Sequence, residues 1–129
     1  MSARYIFVVD DDQIYQFTAN KVITSISPEH SVKIFNDGKE VYDYLTAQVS
    51  EENIPDIILL DINMPEMDGW SFLDAIVPKL ESLEKQVAVY IVSSSIDHRD
   101  IAKSKTYPIV KDYLVNPLKK EVYLRLFAE

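Results

Sequence analysis

The sequence predicts an α/β fold in which five strands alternate with five helices and form one doubly wound parallel sheet. Three runs of consecutive apolar residues, Tyr5–Val9, Ile57–Leu60 and Val87–Val92, are typical of strands that are covered on both faces. Stretches with one apolar helical face lie between these runs. Strands joined by single helices make right-handed crossovers, so neighbouring strands run parallel and helices cover both faces of the sheet.

Two further strands complete the predicted sheet. Val32–Phe35 alternates between apolar and polar residues, which indicates a strand at the sheet edge. Tyr113–Val115 is a short apolar run near the C-terminus and supplies the fifth strand. The order along the chain is therefore a strand followed by a helix, repeated five times.

Apolar residues at helical spacing predict four of the helices. Their apolar faces are Tyr15, Ala19, Val22, Ile23 and Ile26; Val41, Tyr42, Leu45 and Val49; Trp70, Leu73, Val77 and Leu80; and Leu118, Val122 and Leu126. Pro78 should kink or interrupt the third helix, because it lacks a backbone N–H. Asp97 is the expected N-cap of the fourth helix, and Asp100 resembles the second member of a capping box.

A length of 129 residues with 47% hydrophobic residues fits a single domain, residues 1–129, with one packed core. The last helix should run almost to Glu129, so no output domain is expected to follow. The chain has no cysteine, no apolar stretch of membrane-spanning length and no signal-peptide pattern. We therefore expect a cytoplasmic protein without a membrane partner.

The net charge of −8 argues against nucleic acid as a partner, because phosphate contacts need clustered Lys and Arg. Lys119-Lys120 is the only adjacent basic pair, and we interpret it as a solvated helix start. The acidic excess suits a divalent cation or a partner with a basic surface. His30 and His98 are predicted to lie at the surface, since neither has a partner at metal-binding spacing.

Acidic residues follow two of the predicted strands: Asp10 and Asp11 end the first, and Asp61 ends the third. Parallel strands present their carboxyl ends at one edge of the sheet, where ligands of such folds bind. Two carboxylates about 4 Å apart repel by roughly 4 kcal/mol at an effective dielectric constant of about 20. A bound Mg²⁺ would remove this repulsion, since it prefers oxygen ligands. In the alternative interpretation the aspartates only cap the first helix, as Asp12 can do.

Asp61 stands alone after its strand, in the position of a carboxylate nucleophile that can form an aspartyl phosphate. Magnesium held by few protein ligands usually serves phosphate chemistry. Ser93 follows the fourth strand in the segment IVSSS, and its hydroxyl can donate a hydrogen bond to a phosphoryl oxygen. In the alternative interpretation Ser93 is an ordinary serine at a strand end.

Four segments, VVDDD, LLDINMPEMDG, IVSSS and DYLVNPL, occur in this order at the strand ends. Together they resemble the receiver domain of two-component response regulators, in particular the stand-alone chemotaxis regulators, over nearly the whole chain. The resemblance implies a flavodoxin-like sheet with strand order 2-1-3-4-5. It also implies a phosphoacceptor rather than an enzyme, with at most weak autophosphatase activity. A histidine kinase or phosphotransfer protein would donate the phosphoryl group, and a downstream protein would read it.

The resemblance also implies roles for individual residues. The implied Mg²⁺ ligands are Asp10, Asp11, Asp61 and the backbone carbonyl of Asn63. Asp61 would accept the phosphoryl group, and Ser93 would be the switch hydroxyl. Tyr113 matches the switch aromatic, which changes rotamer with the serine and remodels the face around the fourth helix, fifth strand and fifth helix. Without the resemblance, Tyr113 is equally well an ordinary half-buried strand tyrosine.

Asn116 departs from the family pattern, which has a lysine before the proline of the fifth loop. Asparagine can donate a hydrogen bond but carries no charge, so coupling of the phosphoryl group to this loop should weaken. Dependence on Mg²⁺ should rise correspondingly. We expect that Asp61 is still phosphorylated but that the switch is blunted, unless Lys119 or Lys120 substitutes. The resemblance also implies a cis Asn116-Pro117 peptide bond.

Three other functions fit parts of the sequence. A magnesium-dependent phosphatase with an aspartyl-phosphate intermediate would prefer a second aspartate where Asn63 stands, and no cap-domain insertion is present. A docking module that is never phosphorylated is favoured by Asn116. A flavodoxin-like or nucleotide-binding protein would need a glycine-rich phosphate loop, which the two glycines of this chain cannot build.

Overall fold

The computed structural model describes residues 3–47 and 50–128. Its strands are β1 (Tyr5–Val9), β2 (Ser31–Phe35), β3 (Ile57–Leu60), β4 (Ala88–Ser93) and β5 (Val110–Val115). Its helices are α1 (Gln13–Ile26), α2 (Gly38–Ala47), α3 (Gly69–Glu81), α4 (His98–Ser104) and α5 (Lys120–Phe127), with a 3-10 turn at Glu51–Asn53. The strands pair in parallel in the order β2-β1-β3-β4-β5, which confirms the predicted fold and strand order. None of the helices in the described ranges is long and apolar enough to span a membrane.

The two central strands are buried because helices cover both of their faces. Residues 6–9 of β1 and all of β3 are at most 5% exposed. Phe7 and Val9 pack with residues of α2 and α3, whereas Ile6 and Val8 pack with residues of α1 and α5. Full burial of such side chains stabilises the fold by about 1.5–3 kcal/mol each. This two-sided burial explains why both strands consist of unbroken apolar runs.

The edge of the sheet differs from the prediction at β5. This strand begins at Val110, three residues before the predicted Tyr113, and its added residues Lys111 and Asp112 are exposed. An edge strand accepts polar residues facing solvent, so the apolar pattern reveals only part of it. Strand β4 is shifted by one residue from its prediction. Val49, predicted for the second helix, lies outside the described residues.

Helix α3 continues through Pro78 and ends at Glu81, so the predicted interruption is wrong. Proline removes one backbone hydrogen bond from a helix interior. The apolar face of α3 is nevertheless buried on both sides of the proline, at Phe72 and Leu80 for example. Packing of this face against the sheet therefore holds the last turn in helical conformation.

His30 is 4% exposed, so the prediction of a surface position is wrong, whereas His98 is exposed as predicted. The Nδ1 atom of His30 accepts a hydrogen bond from the Arg4 backbone N–H (3.0 Å). Its ring meets the Phe127 ring edge to face, with centroids 5.2 Å apart. Burial is the main reason that the pKa of His30 is lowered. The position is buried because the end of α5 covers the start of β2, a contact that is distant in sequence.

The N-terminus of α4 is capped by Asp97, as predicted: its carboxylate accepts the Arg99 backbone N–H (2.8 Å). The predicted capping box is wrong. Asp100 accepts a hydrogen bond from the Ser95 hydroxyl (2.9 Å), and the Asp97 N–H donates to that same hydroxyl (3.2 Å). Ser95 thus occupies the place between the two groups that a capping box would join directly.

Candidate functional site

The carboxyl ends of β1 and β3 place two aspartates side by side. Val9 and Leu60 are partners in the register of these adjacent strands, and Asp10 and Asp61 follow them. The Asp61 N–H donates to the Val9 carbonyl (2.9 Å). The Asp10 N–H donates to the carbonyl of Phe35 at the end of β2 (3.1 Å). Interstrand hydrogen bonds therefore extend one residue beyond both strands and hold both aspartate backbones in position.

Asp10, Asp11 and Asp61, which we call the acid cluster, each offer one carboxylate oxygen, and these atoms lie within 4.8 Å of one another. Asp10 is buried, Asp61 is half-buried and Asp11 is exposed. Within the described parts of the chain, this is the one group of three His, Cys, Asp or Glu side chains that could hold a metal ion. The structure thus brings together the three carboxylates that the sequence analysis selected.

Burial, together with the charges of Asp61 and Asp11, raises the pKa of Asp10 to about 7, although the Asp12 N–H opposes the shift. Burial also raises the pKa of Asp61 to about 6, with Asp11 contributing and the Asn63 N–H opposing. Burial and the neighbouring carboxylates therefore both disfavour the ionised forms of Asp10 and Asp61, an effect that a bound cation would oppose. Closely spaced oxygen ligands with excess negative charge fit a divalent cation such as Mg²⁺ or Mn²⁺.

The third consecutive aspartate, Asp12, has a different part. It is the N-cap of α1, and its carboxylate accepts the backbone N–H groups of Ile14 (2.9 Å) and Tyr15 (3.4 Å). The Asp12 N–H in turn donates to a carboxylate oxygen of Asp10 (2.9 Å). Helix capping, the alternative explanation for the acidic run, thus accounts for Asp12 and leaves the acid cluster to be explained otherwise.

Two glycines permit the close contacts that hold the loop after Asp61. The Gly69 N–H donates to the Ile62 carbonyl (3.1 Å), and a Cβ at Gly69 would lie 2.6 Å from the Asp61 carbonyl oxygen. The Gly38 N–H donates to the Met67 carbonyl (2.9 Å), and a Cβ at Gly38 would collide with that oxygen. Gly38 was not predicted from the sequence to belong to the site. The sequence signal that could have identified it is the scarcity of glycine, since a chain with only two glycines in 129 residues places each where a side chain would not fit.

The acid cluster opens into a cleft of about 590 Å³. The lining residues are Asp10, Asp11, Asp12, Ile14, Tyr15, Thr18, Asp61, Asn63, Ser94, Asn116 and Pro117. Besides the acid cluster, the predicted site residues at the cleft are Asn63 and Asn116, and both are uncharged. None of the lysines or arginines in the described ranges lines it. The three residues that α1 contributes, Ile14, Tyr15 and Thr18, were not predicted from the sequence to line a site.

Ser93 and Tyr113 do not line the cleft but are connected to each other through Ser95. Ser93 is 1% exposed, and its hydroxyl oxygen accepts the Ser95 backbone N–H (3.0 Å). The Tyr113 hydroxyl donates to the Ser95 carbonyl (2.9 Å). The structure therefore links the two predicted switch residues by way of a third residue. The sequence pattern could not identify that residue, since Ser93, Ser94 and Ser95 are identical in type.

Asn116 follows β5 and precedes Pro117, and the peptide bond between them is cis, as predicted. Its backbone N–H donates to the Ser93 carbonyl (2.9 Å), which holds the loop against the end of β4. The side-chain oxygen of Asn116 is buried and has no hydrogen-bond partner among the described residues. Lys119 and Lys120, the potential substitutes for a cation here, are exposed and do not line the cleft.

Comparison with known proteins agrees with this geometry. The family model for the response regulator receiver domain matches residues 6–126. The chain is 27% identical over 125 residues to chemotaxis protein CheY of Treponema pallidum, covering 95% of this chain and 79% of that protein. It is 28% identical over 118 residues to the two-component response regulator ARR12 of Arabidopsis thaliana, covering 90% of this chain but only 18% of that longer protein.

Solved structures share the fold. A two-component response regulator from Cytophaga hutchinsonii superposes with a TM-score of 0.84 at 27% identity, covering 95% of this chain and 92% of that one. The phosphorylated cyanobacterial phytochrome response regulator RcpA gives a TM-score of 0.74 at 26% identity, with 97% and 89% covered. The Mn²⁺-bound form of response regulator Rcp1 gives 0.73 at 24% identity, with 95% and 88% covered. The chain therefore belongs to the response regulator receiver domain family, the signalling phosphoacceptors of two-component systems.

Proposed function

We propose that Asp61 is the phosphoacceptor of this receiver domain and that a histidine kinase or phosphotransfer protein supplies the phosphoryl group. The observation that carries the proposal is the acid cluster at the mouth of the cleft, with Asp61 as its member from β3. A carboxylate oxygen of Asp61 attacks the phosphorus of a phosphohistidine. The new P–O bond forms as the P–N bond breaks, and the histidine nitrogen keeps the electron pair and takes up a proton.

The acid cluster and the backbone carbonyl of Asn63 would hold Mg²⁺. When bound, the ion supplies positive charge that offsets both the carboxylates and the oxygens of the phosphoryl group. Support comes from the raised pKa values of Asp10 and Asp61, which burial and then neighbouring carboxylates cause and a bound cation would oppose, and from the Mn²⁺-bound form of the related Rcp1. Asp10 is held by interstrand hydrogen bonding, so the cluster is preorganised for the ion.

The Ser93 hydroxyl is proposed to bind the phosphoryl group once it is on Asp61. Its oxygen accepts the Ser95 N–H, so its own hydrogen remains available for donation to a phosphoryl oxygen. The hydroxyl is almost fully buried and must turn or move toward the cleft to do so. Tyr113 is the proposed partner in that movement, since its hydroxyl bonds to the same loop.

Asn116 is proposed to blunt the switch. A lysine at this position would add a positive charge to a cleft that no cation of the described residues lines. Without that charge, the fifth loop offers the anionic phosphoryl group only an uncharged donor, so the ion-pair attraction that a lysine would add is missing. Phosphorylation should therefore depend more on Mg²⁺, and its effect on the fifth loop should be smaller.

The test is intact mass after incubation with acetyl phosphate, with and without Mg²⁺, on the wild type and Asp61→Asn. We expect a single phosphoryl adduct that requires Mg²⁺ and is absent from Asp61→Asn. Asp68→Asn is the matched control, because Asp68 is an N-cap outside the cleft and asparagine also caps helices. An adduct that persists in Asp61→Asn would overturn the assignment of the phosphoacceptor.

A docking module that works without phosphorylation is the second candidate, favoured by Asn116 and by the lack of a cation among the described lining residues. It predicts no adduct from either acetyl phosphate or a phosphorylated kinase, together with normal folding. The decay of the adduct distinguishes a receiver domain from the remaining alternative, a magnesium-dependent phosphatase. A receiver domain releases its phosphoryl group slowly and once, whereas a phosphatase would turn over many phosphoesters.

A further inference from the structure

Ser95, in the loop of residues 94–97 between β4 and α4, uses each of its polar groups to contact a different part of the fold. Its N–H reaches back to Ser93 at the end of β4, and its carbonyl accepts from Tyr113 of β5. Its hydroxyl donates to Asp100 in the first turn of α4. A single half-buried residue therefore joins two strands and a helix.

We call Ser95 and its hydrogen-bond partners the junction. Within it, the bond between the Ser95 hydroxyl and Asp100 is not needed to cap α4. The carboxylate of Asp97 already caps α4, so the helix does not need Ser95 as its cap. A hydrogen bond to a carboxylate is also stronger than one between neutral groups. The Asp97 N–H donates to the same hydroxyl (3.2 Å), which fixes its orientation toward α4.

The junction constrains movement of Ser93. The Ser93 hydroxyl is held by the Ser95 N–H at 3.0 Å, so displacement of that hydroxyl toward the cleft either breaks this bond or draws Ser95 along. Displacement of Ser95 would in turn strain its bonds to Tyr113 and to Asp100, at 2.9 Å each. Helix α4 has only seven residues, so displacement of its first turn affects most of it.

We propose that Ser95 is a positioning residue whose hydroxyl couples Ser93 to α4 through Asp100. This inference rests on the proposed function, since phosphorylation of Asp61 is the event that moves Ser93. The hydroxyl of Ser95 carries this coupling, whereas the backbone carbonyl that accepts from Tyr113 remains whatever side chain stands at position 95.

The experiment compares backbone amide NMR shifts with and without beryllium fluoride and Mg²⁺, used as a phosphoryl analogue, in the full chain. In Ser95→Ala we expect the ligand-induced shifts of α4 to fall at least about threefold, because a hydrogen bond to a charged group is lost. The shifts of the loop after Asp61 should remain. Asp100→Asn should act in the same direction, and combining it with Ser95→Ala should add little. Ser95→Thr, which retains the hydroxyl, should restore the wild-type shifts.

Two controls separate positioning from simple support of the helix. Asp97→Ala weakens the cap of α4 but leaves all three contacts of Ser95 possible, so the shifts of α4 should persist. Tyr113→Phe should reduce the shifts of β5 and spare those of α4. Wild-type shifts in Ser95→Ala, or an equal loss in Asp97→Ala, would overturn the proposal.

The same samples distinguish failure of this inference from failure of the proposed function. A phosphoryl adduct on Asp61 with unaltered coupling in Ser95→Ala refutes only the role of Ser95. Absence of any adduct in the wild type, by intact mass after acetyl phosphate, refutes both.

Discussion

The two halves of the sheet edge that carries the site are built differently. At β1 and β3, the acid cluster stands on backbones that are fixed by interstrand hydrogen bonds and by close glycine contacts. At β4 and β5, Ser93, Tyr113 and Asn116 are positioned by loop hydrogen bonds, several of which meet at Ser95. The predicted site residues of the first half, the charged half, are carboxylates, whereas those of the second half are uncharged and are positioned through loop hydrogen bonds. Under the proposed function, the first half accepts the ion and the phosphoryl group, and the second half responds to them.

The largest expected effect is loss of ion binding at the charged half. At a Mg²⁺ concentration of about 100 times Kd, binding should raise the free energy of unfolding by about 2.7 kcal/mol. Asp10→Asn should abolish most of this gain, because it removes a buried member of the acid cluster. Chemical denaturation of the wild type and of Asp10→Asn, each with Mg²⁺ and with a chelator, measures the gain in both proteins. An undiminished gain in Asp10→Asn would contradict the assignment of the ligands, and Asp12→Asn, which preserves the cap, is the control.

The next largest effect is the pH dependence of the free energy of unfolding that the charged half causes, measured in the presence of a chelator. The pKa of Asp10 is raised from 3.8 to about 7 in the folded protein, so the folded state binds this proton more tightly than the unfolded state. The contribution to stability is complete below about pH 3.8 and is lost as the pH rises through about 7. The lowered pKa of His30 acts in the opposite sense, since its contribution is lost as the pH falls below 6.5.

Denaturation curves of the wild type and Asp10→Asn between pH 4 and pH 8 isolate the carboxylate contribution. The difference in stability should grow in favour of the variant as the pH rises across this interval. A difference that is independent of pH would show that Asp10 does not titrate in this range.

Gly69→Ala tests the close packing beneath Asp61. The added Cβ would lie 2.6 Å from the Asp61 carbonyl oxygen and 2.8 Å from the Ile62 Cα, so backbone must shift. We expect a loss of about 1–3 kcal/mol in the free energy of unfolding and weaker Mg²⁺ binding. Ser71→Ala, an exposed change in the same helix, is the matched control. Equal stability and ion affinity of Gly69→Ala and Ser71→Ala would contradict this account.

Asn116→Lys tests whether the missing positive charge at this position weakens the response of the fifth loop to phosphorylation. The added cation should enlarge the phosphorylation-linked NMR shifts of the fifth loop and of α5, since a charged donor adds ion-pair attraction to the hydrogen bond with the anionic phosphoryl group. Less Mg²⁺ should be needed for half-maximal phosphorylation. Asn116→Gln adds length without charge and should do neither. An unchanged shift pattern in Asn116→Lys would show that the lysine position has no effect in this chain.

The smallest expected effect is a stabilisation at Glu66, in the loop after Asp61. Glu66 has φ of 64°, which is unfavourable for a residue with a Cβ. Glu66→Gly should raise the free energy of unfolding by about 1 kcal/mol or less, because relief of strain exceeds the added chain entropy of glycine. Glu66→Ala keeps the strain and should bring no such gain. A loss of stability in Glu66→Gly, measured by urea denaturation, would run against this expectation.

The sequence by itself determined the central strands and the charged half of the site. β1 and β3 were predicted to the residue, because burial on both faces requires unbroken apolar runs, and the strand order implied by the family resemblance places the aspartates that follow them side by side. Only the tertiary structure decided the burial of His30, the length of β5, the packing of Gly38 against Met67 and the bonds of Ser95. Each of these depends on a contact between separate elements or on an edge exposed to solvent. Local periodicity cannot predict such contacts, since it shows only which face of an element is apolar.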